Sequence, residues 1–196
     1  MALVIAEPES RFTGPTLICP HPEYWSSTDD HSTEVEVSEL IYGLVRGVQP
    51  DYCIETGSAW GQTARAIGEA LAANGHGRLV SLETDPDRVA YSKVICKDLP
   101  QVTILEQSAM DYTPDGLVGF AFFDSLFNLR VPEFLRYFPA MVAGSVVAFH
   151  DSAPGHGGGQ FESGRDLLNE IEVELKDHLA VVHFPTPRGI TIGVVR

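Results

Sequence analysis

The stretch Glu55-Thr-Gly57-Ser-Ala-Trp60-Gly61-Gln-Thr63 decides how this chain is read. It follows the short apolar run Tyr52-Cys53-Ile54 and precedes a helical pattern in which Ala64, Ile67 and Leu71 share one face. A carboxylate closes the strand, and two glycines four residues apart turn the chain into the helix. Gly57 and Gly61 accept positive φ at little steric cost and let a ligand approach the backbone. Glu55 repels a phosphate and suits a hydroxyl or an ammonium group instead.

Working outward, strand-like and helical segments alternate. Strands are expected at 52–56, 78–83, 102–105, 120–123 and 145–149, the fourth continuously apolar and so buried on both faces. A helix over about 61–74 ends at Asn74-Gly75. Asp85-Pro86 is an N-cap with proline at the first helical position, opening a helix with Val89, Ala90, Val94 and Cys96 in one arc. A short helix is expected after Pro132, with Phe134, Leu135 and Phe138 inward. Leu167, Leu168, Ile171 and Leu175 mark a late helix. Two last strands at 180–184 and 190–195 are linked by Pro185-Thr-Pro187-Arg-Gly189, too short a link for a parallel pair. Upstream, Val37, Leu40, Ile41, Leu44, Val45 and Val48 form one helical face, with Ser32 or Thr33 as cap and Gly47 and Pro50 as stop. The alternation predicts an α/β fold: a Rossmann-like, seven-stranded, mostly parallel sheet with an antiparallel last strand and helices on both faces. Residues 1–31, with Pro8, Pro15, Pro20 and Pro22, are expected to form an irregular arm, and residues 32–196 a single domain.

Composition narrows the partners. A length of 196 residues suits one core, and 44% hydrophobic with 20% charged residues is ordinary for a soluble globular chain. The net charge of −14 lacks the basic footprint of a nucleic-acid binder. No run approaches the ~20 apolar residues of a membrane helix. Met1–Ala6 is apolar, has no basic flank and meets Glu7 and Pro8 at once, which is not a secretory signal. Cys19, Cys53 and Cys96 show no metal-ligand spacing, so a reducing cytoplasm is the expected setting.

Sheets of this kind bind ligands at the carboxyl ends of their strands. The tip residues are Glu55, Glu83, Ser108, Asp124, His150 and Asp151. Glu83 can accept from both hydroxyls of a ribose, and Gln107-Ser108-Ala109 can meet the edge of an adenine. The ordered set Glu55-x-Gly57-x-x-x-Gly61-x-Thr63, Leu82-Glu83-x-Asp85, Ser108-Ala109 and Phe123-Asp124 resembles class I S-adenosylmethionine-dependent methyltransferases. It is most similar to small-molecule O-methyltransferases of the catechol and caffeoyl-CoA type. It also resembles macrocin-type relatives, whose His-Asp pair after the fifth strand corresponds to His150-Asp151. The similarity spans about residues 35–195.

The resemblance implies roles. Gly57, Ser58, Gly61 and Thr63 would line the methionine part of S-adenosylmethionine, Glu55 would hold its amino group, and Trp60 would pack near the sugar or sulfonium. Glu83 would grip the ribose, while Ser108 and Ala109 flank adenine. Asp124 belongs to the cofactor wall, and Asp124 with Asp151 would hold a divalent cation such as magnesium. The chain departs from the metal-dependent pattern. Asp124-Ser-Leu-Phe127-Asn128-Leu-Arg130 has no lysine or histidine just after the aspartate, and Ser152 stands where an asparagine often follows the second. The competing reading makes His150 a general base, with Asp124 and Asp151 beside it. His156 is a second base candidate, on the loop Asp151-Ser-Ala-Pro-Gly-His156-Gly-Gly-Gly-Gln160, read as a substrate loop or lid. Tyr24 and Trp25 are expected to close the far side of the pocket. The expected partner is a small-molecule acceptor, with a homodimer through the first helix and arm left open. Two alternatives stand: an inactive cofactor-binding or regulatory protein of this fold, and an NAD-dependent oxidoreductase.

Overall fold

The computed structural model describes residues 10–11, 19–29, 31–154, 156 and 164–196. Its main sheet has seven strands, β1 (Tyr52–Thr56), β2 (Arg78–Glu83), β3 (Val102–Glu106), β4 (Val118–Phe123), β5 (Met141–His150), β6 (Leu179–Phe184) and β7 (Ile190–Val195), beside a short antiparallel pair at Ser10–Arg11 and Ser26–Ser27. They lie in the order β3-β2-β1-β4-β5-β7-β6. The first five are parallel, and β7 enters antiparallel between β5 and β6. This is the predicted sheet, and its direction of winding reverses between β1 and β4, where ligands of such sheets sit.

Five helices cover it: α1 (Val35–Val48), α2 (Gln62–Asn74), α3 (Pro86–Ile95), α4 (Phe127–Tyr137) and α5 (Gly164–Glu174). The period-2 alternation of each strand splits the core in two. Cys53, Leu79, Ile104, Phe120 and Phe122 pack with Val37, Ile41, Val45, Ile67 and Leu71 of α1 and α2. Ile54, Leu82, Ala121, Phe123 and Phe149 pack on the other side with Phe134, Tyr137, Leu167 and Ile171 of α4 and α5. β4 is central, and its apolar run serves both halves.

Several boundaries differ from expectation. α4 starts at Phe127 and carries Pro132 inside it. Proline usually marks a helix start, but here the turn before it is held by burial of Arg130 and Val131, and this tertiary contact outweighs local preference. Leu135 faces solvent, while Phe134 is buried and Phe138 partly so. On α3 the inward residues are Val89, Ser92 and Cys96; Ala90 and Val94 are exposed. Neither Ser32 nor Thr33 caps α1. Glu34 holds that position without a side-chain cap, Gly47 lies within the helix, and Gln49 ends it in the left-handed conformation. Residues 1–9, 12–18, 30, 155 and 157–160 of the expected arm and lid lie outside the described residues.

The first glycine turn is shaped by protein contacts. Gly57 has φ of +80°, and a Cβ there would meet the Asp124 carbonyl oxygen at 2.4 Å. Gly61 has φ of +84°, and its Cβ would lie 2.9 Å from Ser92 Cα on α3. Both glycines therefore bring strand tips and helices together. Gly61→Ala should cost about 1–3 kcal/mol through positive φ and the clash. Urea unfolding checks this, and an unchanged midpoint would show that α3 can yield.

Candidate functional site

The tips of β1, β2, β4 and β5 surround a cleft of about 380 Å³. One end is built by Leu82, Glu83, Gln107, Ser108 and Ala109. The other is built by Asp124, Ser125, Arg130, Glu133, Asp151 and Arg188. Gly57, Ala59, Asp124 and His31 also line a small adjoining cavity with Ser58 and Thr63. Of the residues expected at a cofactor, Gly57, Ser58, Thr63, Glu83, Ser108, Ala109 and Asp124 are thus brought together.

Glu83 is only 8% exposed. Its Oε1 accepts from the Thr84 and Asp85 N–H groups at 2.8 and 3.0 Å, and its Oε2 from the Ala59 N–H at 3.0 Å. The carboxylate braces the turn and keeps acceptor capacity for a ligand hydroxyl. Glu55 lies deeper, fully buried and off both cavity walls. The Ser81 hydroxyl donates to its Oε2 at 2.5 Å, and its Oε1 has no partner. Burial pushes its pKa up to about 8, against the Ser81 hydrogen bond, with Asp124 and Glu83 adding repulsion. Ser58 Oγ is also buried and unpartnered. Trp60 is not on the cleft. It packs edge-on against Tyr91, ring centroids 5.5 Å apart, with Arg88 over its face. Tyr24 and Trp25 are also off the cleft: Tyr24 is exposed, and Trp25 packs on the α1 side of the core.

Asp124, His150 and Asp151 converge, with potential ligand atoms within 4.8 Å of one another. The sequence reading did not anticipate what surrounds them. Arg130, 3% exposed, donates from Nη2 to Asp124 Oδ1 at 3.1 Å and to Asp151 Oδ2 at 2.9 Å. Its Nη1 donates to the His150 carbonyl. Arg188, from the β6–β7 turn, donates from Nε to Asp151 Oδ1 at 2.7 Å and from Nη1 to the Ser32 carbonyl at 2.7 Å. His150 Nε2 meets Glu34 Oε2 at 2.6 Å, and its Nδ1 lies 3.1 Å from Asp124 Oδ1 and 3.3 Å from Asp151 Oδ1. His156 Nε2 is 3.2 Å from Asp151 Oδ1.

Burial opposes a charge on His150, yet Asp151, Asp124 and Glu34 raise its pKa to about 9. Burial would likewise raise Glu34 and Asp151, but His150 and the arginines hold Glu34 below the usual carboxylate range and Asp151 well below it. Three carboxylates thus face three cations. His150 is fully buried, with a carboxylate beside each ring nitrogen, which leaves it no direct path to a substrate in the cleft. Asp124, His150 and Asp151 are brought together as a divalent cation would need, but Arg130 bridges one oxygen of each aspartate. The arginine was visible six residues past Asp124, but its orientation depended on the true start of α4.

His31 was also missed. Among the described residues it is the one histidine on the cleft wall. Its loop is pinned: the His31 and Ser32 N–H groups donate to Asp29 Oδ1 at 2.7 Å, and the Thr33 and Thr63 hydroxyls are hydrogen-bonded. Glu133 accepts from Thr56 and Ser125 at 2.7–2.8 Å, and burial raises its pKa against those bonds.

A family model described as methyltransferase domain matches residues 54–152. No curated protein matches the chain. Solved structures do. The O-methyltransferase from Bacillus cereus in complex with SAH is 15% identical, covers 86% of this chain and 84% of its own, and has a TM-score of 0.71. SAH-bound PaMTH1 of Podospora anserina is 17% identical, with coverages of 85% and 81% and a TM-score of 0.70. TomG of Streptomyces achromogenes, an O-methyltransferase in tomaymycin synthesis solved with SAM, is 16% identical, with 89% and 85% covered and a TM-score of 0.69.

The charge network predicts an alkaline stability limb. His150 has a folded pKa of about 9 against an ordinary 6.5. Its contribution, on the order of 3 kcal/mol, is fully present below pH 6.5 and is lost as pH rises through about 9. Unfolding free energies measured across pH 6–10 should fall accordingly, and His150→Gln should flatten that fall while lowering stability at pH 6.

Proposed function

This chain belongs to the methyltransferase-domain family, and from that premise we propose that it transfers a methyl group from S-adenosylmethionine to a hydroxyl oxygen of a small molecule. The observation that carries the cofactor assignment is Ser58 Oγ, buried and unpartnered on the small cavity beside Gly57, with the unpartnered Glu55 Oε1 buried behind it. Unsatisfied buried polar atoms are rare and point to an absent partner. An ammonium group in that cavity meets Ser58 and reaches Glu55 through water. Glu83 takes the ribose hydroxyls, and Ser108 and Ala109 flank the base. Relatives of the same fold solved with SAH or SAM support this assignment. The bound cofactor supplies an electrophilic methyl group on a sulfonium.

The rest falls to the chain's own side chains. The acceptor lies at the Asp124–Arg188 end, between Leu126 and Leu129. With His150 committed to its carboxylates, His31 takes the acceptor proton. Its loop is braced by Asp29, and it sits on the wall shared by both cavities. Exclusion of water and orientation supply the remaining acceleration. Burial of the Cys53 and Cys96 thiols supports a reducing, cytoplasmic setting, and no described helix is long and apolar enough to cross a membrane. The family match gives the nicotinamide alternative no support.

S-adenosylhomocysteine at about 100-fold above its dissociation constant should raise Tm by roughly 5–10 °C. Silence in both thermal shift and calorimetry would end the proposal. Glu55, with its pKa near 8, is largely protonated at pH 7, and an ammonium nearby favours its ionised form. Binding should therefore release a proton. Calorimetry in two buffers of different ionisation enthalpy reads it, and Glu55→Gln should abolish the release. His31→Ala should lower kcat roughly 10²–10⁴-fold with S-adenosylhomocysteine affinity unchanged. Binding without turnover on any hydroxylated acceptor would instead favour an inactive, regulatory member of the fold.

A further inference from the structure

We infer that the Arg130 guanidinium is a built-in replacement for a divalent cation, so that this chain carries out its chemistry without metal. The inference rests on the methyltransferase reading above, but its test does not depend on turnover. Arg130 makes one contact to each of the two aspartates that would ligate a metal, at 3.1 and 2.9 Å from a single nitrogen. Its other terminal nitrogen donates to the His150 carbonyl, its Nε donates to the Ser125 carbonyl at 2.9 Å, and its face lies over the Phe127 ring at 4.8 Å. Four hydrogen bonds from its three nitrogens thus engage the planar fork on three sides. The group is structurally locked, not a loose counter-ion.

Charge and space argue the same way. Magnesium requires oxygen ligands at about 2.0–2.1 Å in near-octahedral array. Reaching Asp124 Oδ1 and Asp151 Oδ2 at that distance would force the guanidinium out of its cage. The other Asp151 oxygen already accepts from Arg188 at 2.7 Å, with His156 at 3.2 Å. The two ring nitrogens of His150 are already occupied by Glu34 Oε2 at 2.6 Å and Asp124 Oδ1 at 3.1 Å. Adding two positive charges beside the Arg130 and Arg188 guanidinium groups would be repulsive in a site from which water is largely excluded. Asp151 is held there at φ of +58°, a strained conformation for a residue other than glycine, which the surrounding bonds stabilise.

Removing the arginine should reverse the preference. Arg130→Ala leaves two adjacent buried carboxylates and an emptied volume between them, the conditions a hard cation requires. Manganese is the probe, read by the loss of its free-ion paramagnetic resonance signal and by thermal shift, with an S-adenosylhomocysteine titration run in parallel. The wild-type chain should leave the manganese signal unchanged and keep one Tm in magnesium or EDTA. Arg130→Ala should melt lower in EDTA, bind manganese, and regain roughly 5–10 °C at metal about 100-fold above its dissociation constant. Asp151→Asn added to it should remove that gain. Stoichiometric manganese binding by the wild-type chain, lost in Asp124→Asn, overturns the inference whether or not Arg130→Ala folds. So does a folded Arg130→Ala that ignores manganese. Failure of S-adenosylhomocysteine to bind, with these metal results as expected, would strike the methyltransferase reading and leave the role of Arg130 intact.

Discussion

The structure turns on how Asp151 is held. Its carboxylate is buried at the end of β5 and is touched by Arg130 from α4, by Arg188 from the β6–β7 turn, and by the imidazolium before it in sequence. Through His150 the same cluster reaches Glu34 at the start of α1. Four segments far apart in sequence are therefore clamped at one point. Losing one partner of such a cluster costs about 3–5 kcal/mol, because the charges left behind are already desolvated. The clamp closes the cleft at one end and fixes the loop that carries His31.

The unusual end of the sheet makes this clamp reachable. β7 runs antiparallel to β5, and His150 pairs with Ile190. The turn preceding β7 must then return to the carboxyl end of β5, which places Arg188 beside Asp151. Gly189 follows in a left-handed conformation, and a Cβ there would lie 2.2 Å from the Ala153 nitrogen. Local backbone chemistry and distant charge pairing meet within two residues. A chain with a net charge of −14 has concentrated two of its few arginines where its carboxylates are most deeply buried.

Most of the fold was legible because it follows from periodicity. The run Phe120–Phe123 reads as a doubly buried strand, and Asp85-Pro86 as a helix start, from short-range physics alone. The first glycine turn was legible as a turn, although the sequence could not show that its glycines also make room for Asp124 and Ser92. The cofactor wall was readable because strand tips are fixed by the sheet. The charge cluster was not, since no periodicity links residues 34, 130, 150 and 188. Pro132 also misplaced the start of α4, which hid the inward direction of Arg130. The resemblance places Trp60 near the sugar or sulfonium, whereas the turn directs it to Tyr91.

A guanidinium in place of a metal also bears on the acceptor. A divalent cation offers open positions in several directions and so gathers two neighbouring oxygens of one molecule, lowering the pKa of both. Arg130 has directional donors, already aimed at Asp124, Asp151 and two carbonyls, and it offers no such vacancy. Nothing at this end of the cleft then rewards a vicinal pair of hydroxyls. Selection falls instead to shape, to the apolar side chains of Leu126 and Leu129, and to a single oxygen presented towards His31. If Arg130 takes the place of the metal as proposed, the chemical reason for a catechol-like substrate goes with it, and an acceptor with one isolated hydroxyl suits the site as well.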